Sequence, residues 1–158
     1  DMAGITVALG LGFGRMGCHL AGCCFGAPSA VPWSVVFPGH SPASESQWKL
    51  GLLGSPAEPS LAVHPTQLYE SAGSLLICAF LLLYLHGRKR YDGQVFLAFV
   101  AAYAVLRFLL EVVRADDRGG LFGLSTSQLI GVGLVAAALA AHRRLGARAD
   151  AAAAGAAA

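Results

Sequence analysis

Apolar positions gather in four stretches of this chain, and most of the charges fall between them. Residues 119–141 run 23 positions without a charge, and a membrane-spanning helix needs about 20 at 1.5 Å of rise each. Residues 93–113 make a second stretch, broken only by Arg107 and Glu111, and residues 68–85 a third, with Glu70 near its start. Residues 2–14 are uncharged, and the same apolar character continues through Arg15 to Cys24. Single runs of 10–14 apolar residues are often core helices of soluble proteins. Four such runs in 158 residues instead predict an all-α, polytopic membrane protein with about four transmembrane helices.

The polar joints orient that prediction. Arg88, Lys89 and Arg90 follow the 68–85 stretch, and Arg143, Arg144 and Arg148 follow the last, so six of the eleven basic residues share one side. The positive-inside rule makes that side cytoplasmic, C-terminus included. Residues 27–63 and 115–120 then lie on the external face. The first of these loops holds six of the seven prolines, with Gly and Ser between them, and reads as irregular surface chain. Residues 1–148 are expected to form one membrane-embedded region, and residues 149–158 an alanine-rich cytoplasmic tail. The chain opens on Asp1 with no basic segment before its apolar run. That is not a signal peptide, and it predicts a fragment or a processed chain.

Composition agrees. The charged fraction is 13%, about half the usual 25%, which excludes disorder. A net charge of +2 with dispersed basic residues gives no reason to expect a nucleic-acid partner.

Charge inside an apolar stretch marks candidate chemistry. An Arg or Asp at a helix centre costs about 2.5–3.5 kcal/mol on insertion scales, so such groups usually face a protein interior or a wet cavity. Tyr103, Arg107, Glu111 and Arg114 follow at i, i+4, i+8 and i+11, one face of a helix; snorkelling to the interface accounts for Arg114. A second constellation runs from Gly14 and Arg15 through Cys18, His19, Cys23 and Cys24 to Gly26. Its Gly12-x-Gly14-x-x-Gly17 lacks the preceding strand and later acid of a dinucleotide site. The cysteines lack the paired spacing of a zinc site, so no metal is expected. A bond from Cys18 to Cys23 or Cys24 and simple packing remain alternatives, and Cys78 reads as packing. A third constellation, His64-Pro65-Thr66-Gln67-Leu68-Tyr69-Glu70, stands at the external mouth of the 68–85 stretch. There His64 is a candidate base, with Gln67 and Tyr69 as hydrogen-bond partners.

Taken in order, Gly14-Arg15-x-Gly17, the His64–Glu70 run, Tyr103-x-x-x-Arg107-x-x-x-Glu111-x-x-Arg114 with Asp117, and Leu124-Ser125-x-x-Gln128 resemble the prolipoprotein diacylglyceryl transferase family. So do Pro32-Trp33 and Val36-Phe37-Pro38. The resemblance covers about residues 1–135. It implies a multi-pass enzyme of the bacterial inner membrane, with its site opening toward the external face and no cofactor. Such an enzyme moves a diacylglyceryl group from phosphatidylglycerol to the lipobox cysteine of a prolipoprotein signal peptide, and glycerol phosphate leaves. It further implies that Arg15 and Arg107 bind phosphate, that Glu111 orients Arg107 or meets the glycerol hydroxyls, and that His64 serves as base. Tyr103, Gln67, Tyr69 and Arg114 would be substrate contacts, with Cys18 and Cys23 at two further substrate-binding positions. Where the family motif carries Asn and, five residues on, Glu, this chain has Cys18 and Cys23. The family's upstream half has no counterpart here, so a second half of a larger enzyme is expected. The alternative is a paralogue that uses its thiols for redox chemistry or binds lipid without turnover.

Overall fold

The computed structural model describes residues 1–114, 120–121 and 124–156. Its helices are α1 (Met2–Leu20), α2 (Pro42–Lys49), α3 (Thr66–Phe80), α4 (Gln94–Glu111) and α5 (Thr126–Ala156). A π turn at Leu81–Leu85 and a 3-10 turn at His86–Arg88 prolong α3. Two two-residue strands, β1 (Gly120–Leu121) and β2 (Leu124–Ser125), pair antiparallel ahead of α5. Three rods are long and apolar enough to cross a membrane: Thr66–Arg88, Gln94–Glu111 and Thr126–Ala156. The expected four is thus approximate. The fourth stretch is α1, a 19-residue helix beside them, whose five glycines, Arg15 and His19 dilute its apolar content. The last span begins at Thr126 instead of residue 119, because β1 and β2 take up the approach to it. Residues 115–119, with Asp117, lie outside the described residues.

α3 shows which way the bundle faces its solvent. Its buried side chains include Thr66, Gln67, Glu70, Ser71 and Ser74, while Leu76 is 71% and Leu83 82% exposed. Polar inside and apolar outside suits a hydrocarbon surround, where no water can satisfy an outward polar group. With the family assignment below, this makes the chain a multi-pass membrane protein. Ser71 Oγ donates to the Gly12 carbonyl at 2.7 Å, drawing α3 onto α1. A side chain on Gly12 would put its Cβ 2.7 Å from Leu75, so glycine permits the approach, as small residues do between membrane helices. Deeper along the bundle Ile5, Ala8, Cys78, Leu81, Val95 and Phe99 form the apolar core.

The ends of the bundle sort as the charges predicted. Arg90 pairs with Asp150 at 2.6 Å, Tyr91 meets His142, and Lys89 pairs with Asp1 at 3.0 Å, so both basic clusters stand at one end. At the other end the Gly26 amide donates to the His64 carbonyl, and the Ala27 amide to that of Val113.

Residues 27–63 differ from the expected irregular chain. Ser41 caps α2 through its side chain, and Pro42 opens the helix, a start signal that the surrounding prolines and glycines hide. Phe37, Ala43 and Val63 form a small core beneath it, and buried Gln47 accepts from the Leu61 amide at 2.7 Å. The loop is therefore a packed cap over the mouth. A Cβ on Gly26 would lie 2.6 Å from the Val113 carbonyl oxygen and 2.8 Å from His64 Cβ. Gly26→Ala is therefore expected to lower unfolding stability in detergent by about 1–3 kcal/mol, the range for overpacking. Gly133→Ala, with nothing within 4 Å, should leave it unchanged or slightly raised; equal effects would refute the close approach.

Candidate active site

The polar face of α3 opens with a motif that binds backbone on both sides. Thr66 Oγ1 donates to the Cys24 carbonyl at 2.9 Å, and Gln67 Nε2 to the Cys23 carbonyl at 2.7 Å. Both side chains are almost fully buried. Gln67, expected as a substrate contact, thus fastens the cysteine turn. One helical turn further, Glu70 points the same way with 1% of its surface exposed.

Glu70 gathers the charges. Its Oε2 lies 3.0 Å from Arg15 Nε and 3.5 Å from Arg107 Nη1, and its Oε1 accepts from the Tyr103 hydroxyl at 2.7 Å. Arg107 Nη2 in turn stands 3.6 Å from Glu111 Oε2. Three helices, α1, α3 and α4, thereby meet at one carboxylate. The expected stripe of Tyr103, Arg107 and Glu111 does share a face of α4, while Arg114 lies past the helix end. The two guanidiniums and two carboxylates are neutral in sum, which lowers the cost of holding each charge in an apolar slab. Glu70 takes only the Nε edge of Arg15.

Two hollows flank this cluster. One, about 390 Å³, lies between α4 and α5 and is lined by Tyr103, Arg107, Ser127 and apolar side chains from Phe99 to Leu134. The other, about 480 Å³, lies along α1 between Val7 and Cys18, with Arg15 and Gly14 in its wall. Each hollow therefore has an arginine of the cluster in its lining.

His64 stands apart from the carboxylates in its contacts. Its Nδ1 lies 3.3 Å from the Tyr69 hydroxyl, which also accepts from Trp33 Nε1 at 2.6 Å. His64, Tyr69 and Trp33 thus form a chain at the rim. The thiols of Cys18, Cys23 and Cys24 converge, all three sulfurs lying within 4.8 Å of one another. Burial, helped by the neighbouring thiols, pushes the Cys23 thiol up to about 11. Cys24 holds φ at 60°, a left-handed conformation rare outside glycine, asparagine and aspartate.

The family model described as prolipoprotein diacylglyceryl transferase matches residues 1–143. The chain belongs to the prolipoprotein diacylglyceryl transferase family. It is 40% identical over 131 residues to a phosphatidylglycerol–prolipoprotein diacylglyceryl transferase of Clostridium tetani, covering 82% of this chain and 46% of the relative. A second relative, numbered 2, from Clostridium perfringens is 35% identical over 84% of this chain and 46% of its own length. A third, from Dehalococcoides mccartyi, is 34% identical over 88% and 48% respectively. The chain spans about half the length of these relatives. No solved structure matches it.

Glu70 is the residue that sequence reasoning passed over. It was visible as an acid near the start of an apolar stretch, but the spacing on α4 drew Arg107 toward Glu111 and left Glu70 in a loop-mouth motif. Removing one partner of a buried ion pair costs about 3–5 kcal/mol. Glu70→Ala should accordingly destabilise the protein by that order in detergent unfolding, and more than Glu111→Ala, which removes a longer contact of 3.6 Å to Arg107. The reverse order would sink Glu70 as the hub.

Proposed function

We propose that the full-length protein transfers the diacylglyceryl group of phosphatidylglycerol to the lipobox cysteine thiol of a prolipoprotein, releasing glycerol phosphate. The observation that carries this reading is the pair Arg15 and Arg107, held by one buried carboxylate between two hollows. The lipid's acyl chains suit the apolar groove between α4 and α5, with the phosphate against Arg107. The signal peptide then approaches along α1.

In the reaction a carbon–sulfur bond forms to the glyceryl carbon as its bond to the phosphate oxygen breaks. The departing phosphate gains charge, and arginine forks bind phosphate oxygens in pairs, most strongly where water is scarce. Arg15 and Arg107 supply those forks, Glu70 and Glu111 fix their directions, and Tyr103 bonds the headgroup. The acceptor thiol, with a reference pKa of about 8.5, must lose its proton. His64 takes it, held in place by Tyr69. Arg114 lies at the same end of α4 for a phosphate arriving from the rim.

The basic end of the bundle is assigned to the cytoplasm and the cap over residues 27–63 to the external face of the bacterial inner membrane. A fluorescent protein fused after residue 158 is expected to fluoresce, and alkaline phosphatase inserted at Ser55 to be active. The opposite pair of signals would invert the topology.

The central test is transfer of labelled diacylglyceryl to a lipobox peptide by the full-length protein. Arg107→Ala should lower the rate by about 10²–10³-fold, the usual effect of removing one donor to developing charge. Arg107→Lys should recover little, since an ammonium has no fork. Lys89→Ala, whose pairs lie at the opposite end, should match wild type. Absence of transfer from wild type, where a family member is active, would overturn the proposal.

A further inference from the structure

The transfer chemistry leaves three thiols unused at the mouth of the bundle. Cys18 belongs to the last turn of α1, and Cys23 and Cys24 to the turn that follows it. All three are unbridged and partly exposed, and their sulfurs lie mutually within 4.8 Å. Their spacing matches no paired metal motif, and the fold supplies what the spacing lacks. The Cys23 amide donates to the Cys18 carbonyl at 3.1 Å, folding the turn back on the helix. Buried Gln67 and Thr66 then hold the Cys23 and Cys24 carbonyls from α3.

Two thiols would suffice for a disulfide. A third in the same place matches the need of a soft cation, for which thiolates are the preferred ligands. Around a tetrahedral zinc with bonds of about 2.3 Å, three sulfurs stand about 3.8 Å apart, so these need to close by at most about 1 Å. Charge agrees as well: three thiolates on a divalent cation carry a net negative charge, and Arg15 lines the same hollow as Cys18. We propose that Cys18, Cys23 and Cys24 bind one thiophilic cation of the Zn(II) class, with its fourth coordination position open to the hollow beside Arg15. The cation replaces three thiol protons, which pass to solvent on binding.

The test uses the full-length protein, reduced and stripped of metal, in detergent. Added Co(II) is expected to give thiolate-to-cobalt charge-transfer absorption that saturates at one equivalent and disappears when Zn(II) is added. Cys18→Ser, Cys23→Ser and Cys24→Ser should each weaken Co(II) binding at least tenfold. Cys78→Ser should not, since Cys78 is buried in the core against the Ile5 carbonyl. The unmodified protein supplies a readout that no folding defect can blur: one equivalent of Zn(II) should shield three cysteines from maleimide, as counted by mass spectrometry. Alkylation of all three at the same rate with and without Zn(II) would overturn the site, whether or not the protein transfers lipid. So would a Co(II) spectrum indifferent to Cys18→Ser and Cys24→Ser.

Discussion

A single carboxylate, that of Glu70, fixes the geometry at the mouth of this bundle. Buried to 1% exposure, it would be expensive in an apolar slab unless opposed by positive charge and hydrogen bonds. Arg15 from α1 and Arg107 and Tyr103 from α4 provide both. The dependence runs both ways, because a guanidinium amid membrane helices needs a counter-ion: Arg15 pairs with Glu70, and Arg107 with Glu70 and Glu111. The mutual need locks three helices in one arrangement and sets the direction of the two forks on which the proposed phosphate binding rests.

The remaining polar groups on α3 extend that lock. Thr66 and Gln67 reach the backbone of the Cys23–Cys24 turn, and Ser71 reaches the α1 carbonyl at Gly12. A helix that turns Thr, Gln, Glu and Ser inward and leucines outward would be inverted in water. In hydrocarbon it is the stable choice, since packing and interhelical hydrogen bonds replace the hydrophobic effect as the force between helices. The result is a rigid floor under the cap and a fixed separation between the two hollows.

That rigidity gives the cysteines their meaning. Cys18 and Cys23 stand where the sequence resemblance implies polar side chains. In their place the turn concentrates sulfur beside Arg15. The turn is shaped by the bond from the Cys23 amide to the Cys18 carbonyl and by the side-chain hydrogen bonds that Thr66 and Gln67 send from α3, so the thiols are positioned in part by groups distant in sequence.

Hydrophobic run length and charge placement alone determined that the chain is helical and membrane-spanning, that its basic clusters share one end, and that Arg15 and Arg107 carry unusual charge. Those follow from local physics: the thickness of a bilayer and the expense of charge within it can be read residue by residue. The shape of the 27–63 cap was hidden because prolines signal a break without saying what packs beneath it. The start of α5 was misplaced for a related reason, since absence of charge does not distinguish a short strand pair from a helix. The choice of Glu70 over Glu111 as the hub belongs to the tertiary structure alone. Pairing on one helix is visible as a spacing of four, whereas Arg15, Glu70 and Arg107 are separated by 55 and 37 positions and meet only because α1, α3 and α4 pack with their polar faces together. The convergence of Cys18 with Cys23 and Cys24 combines the two kinds of contact: a local bond from the Cys23 amide to the Cys18 carbonyl, and hydrogen bonds that Thr66 and Gln67 send across from another helix.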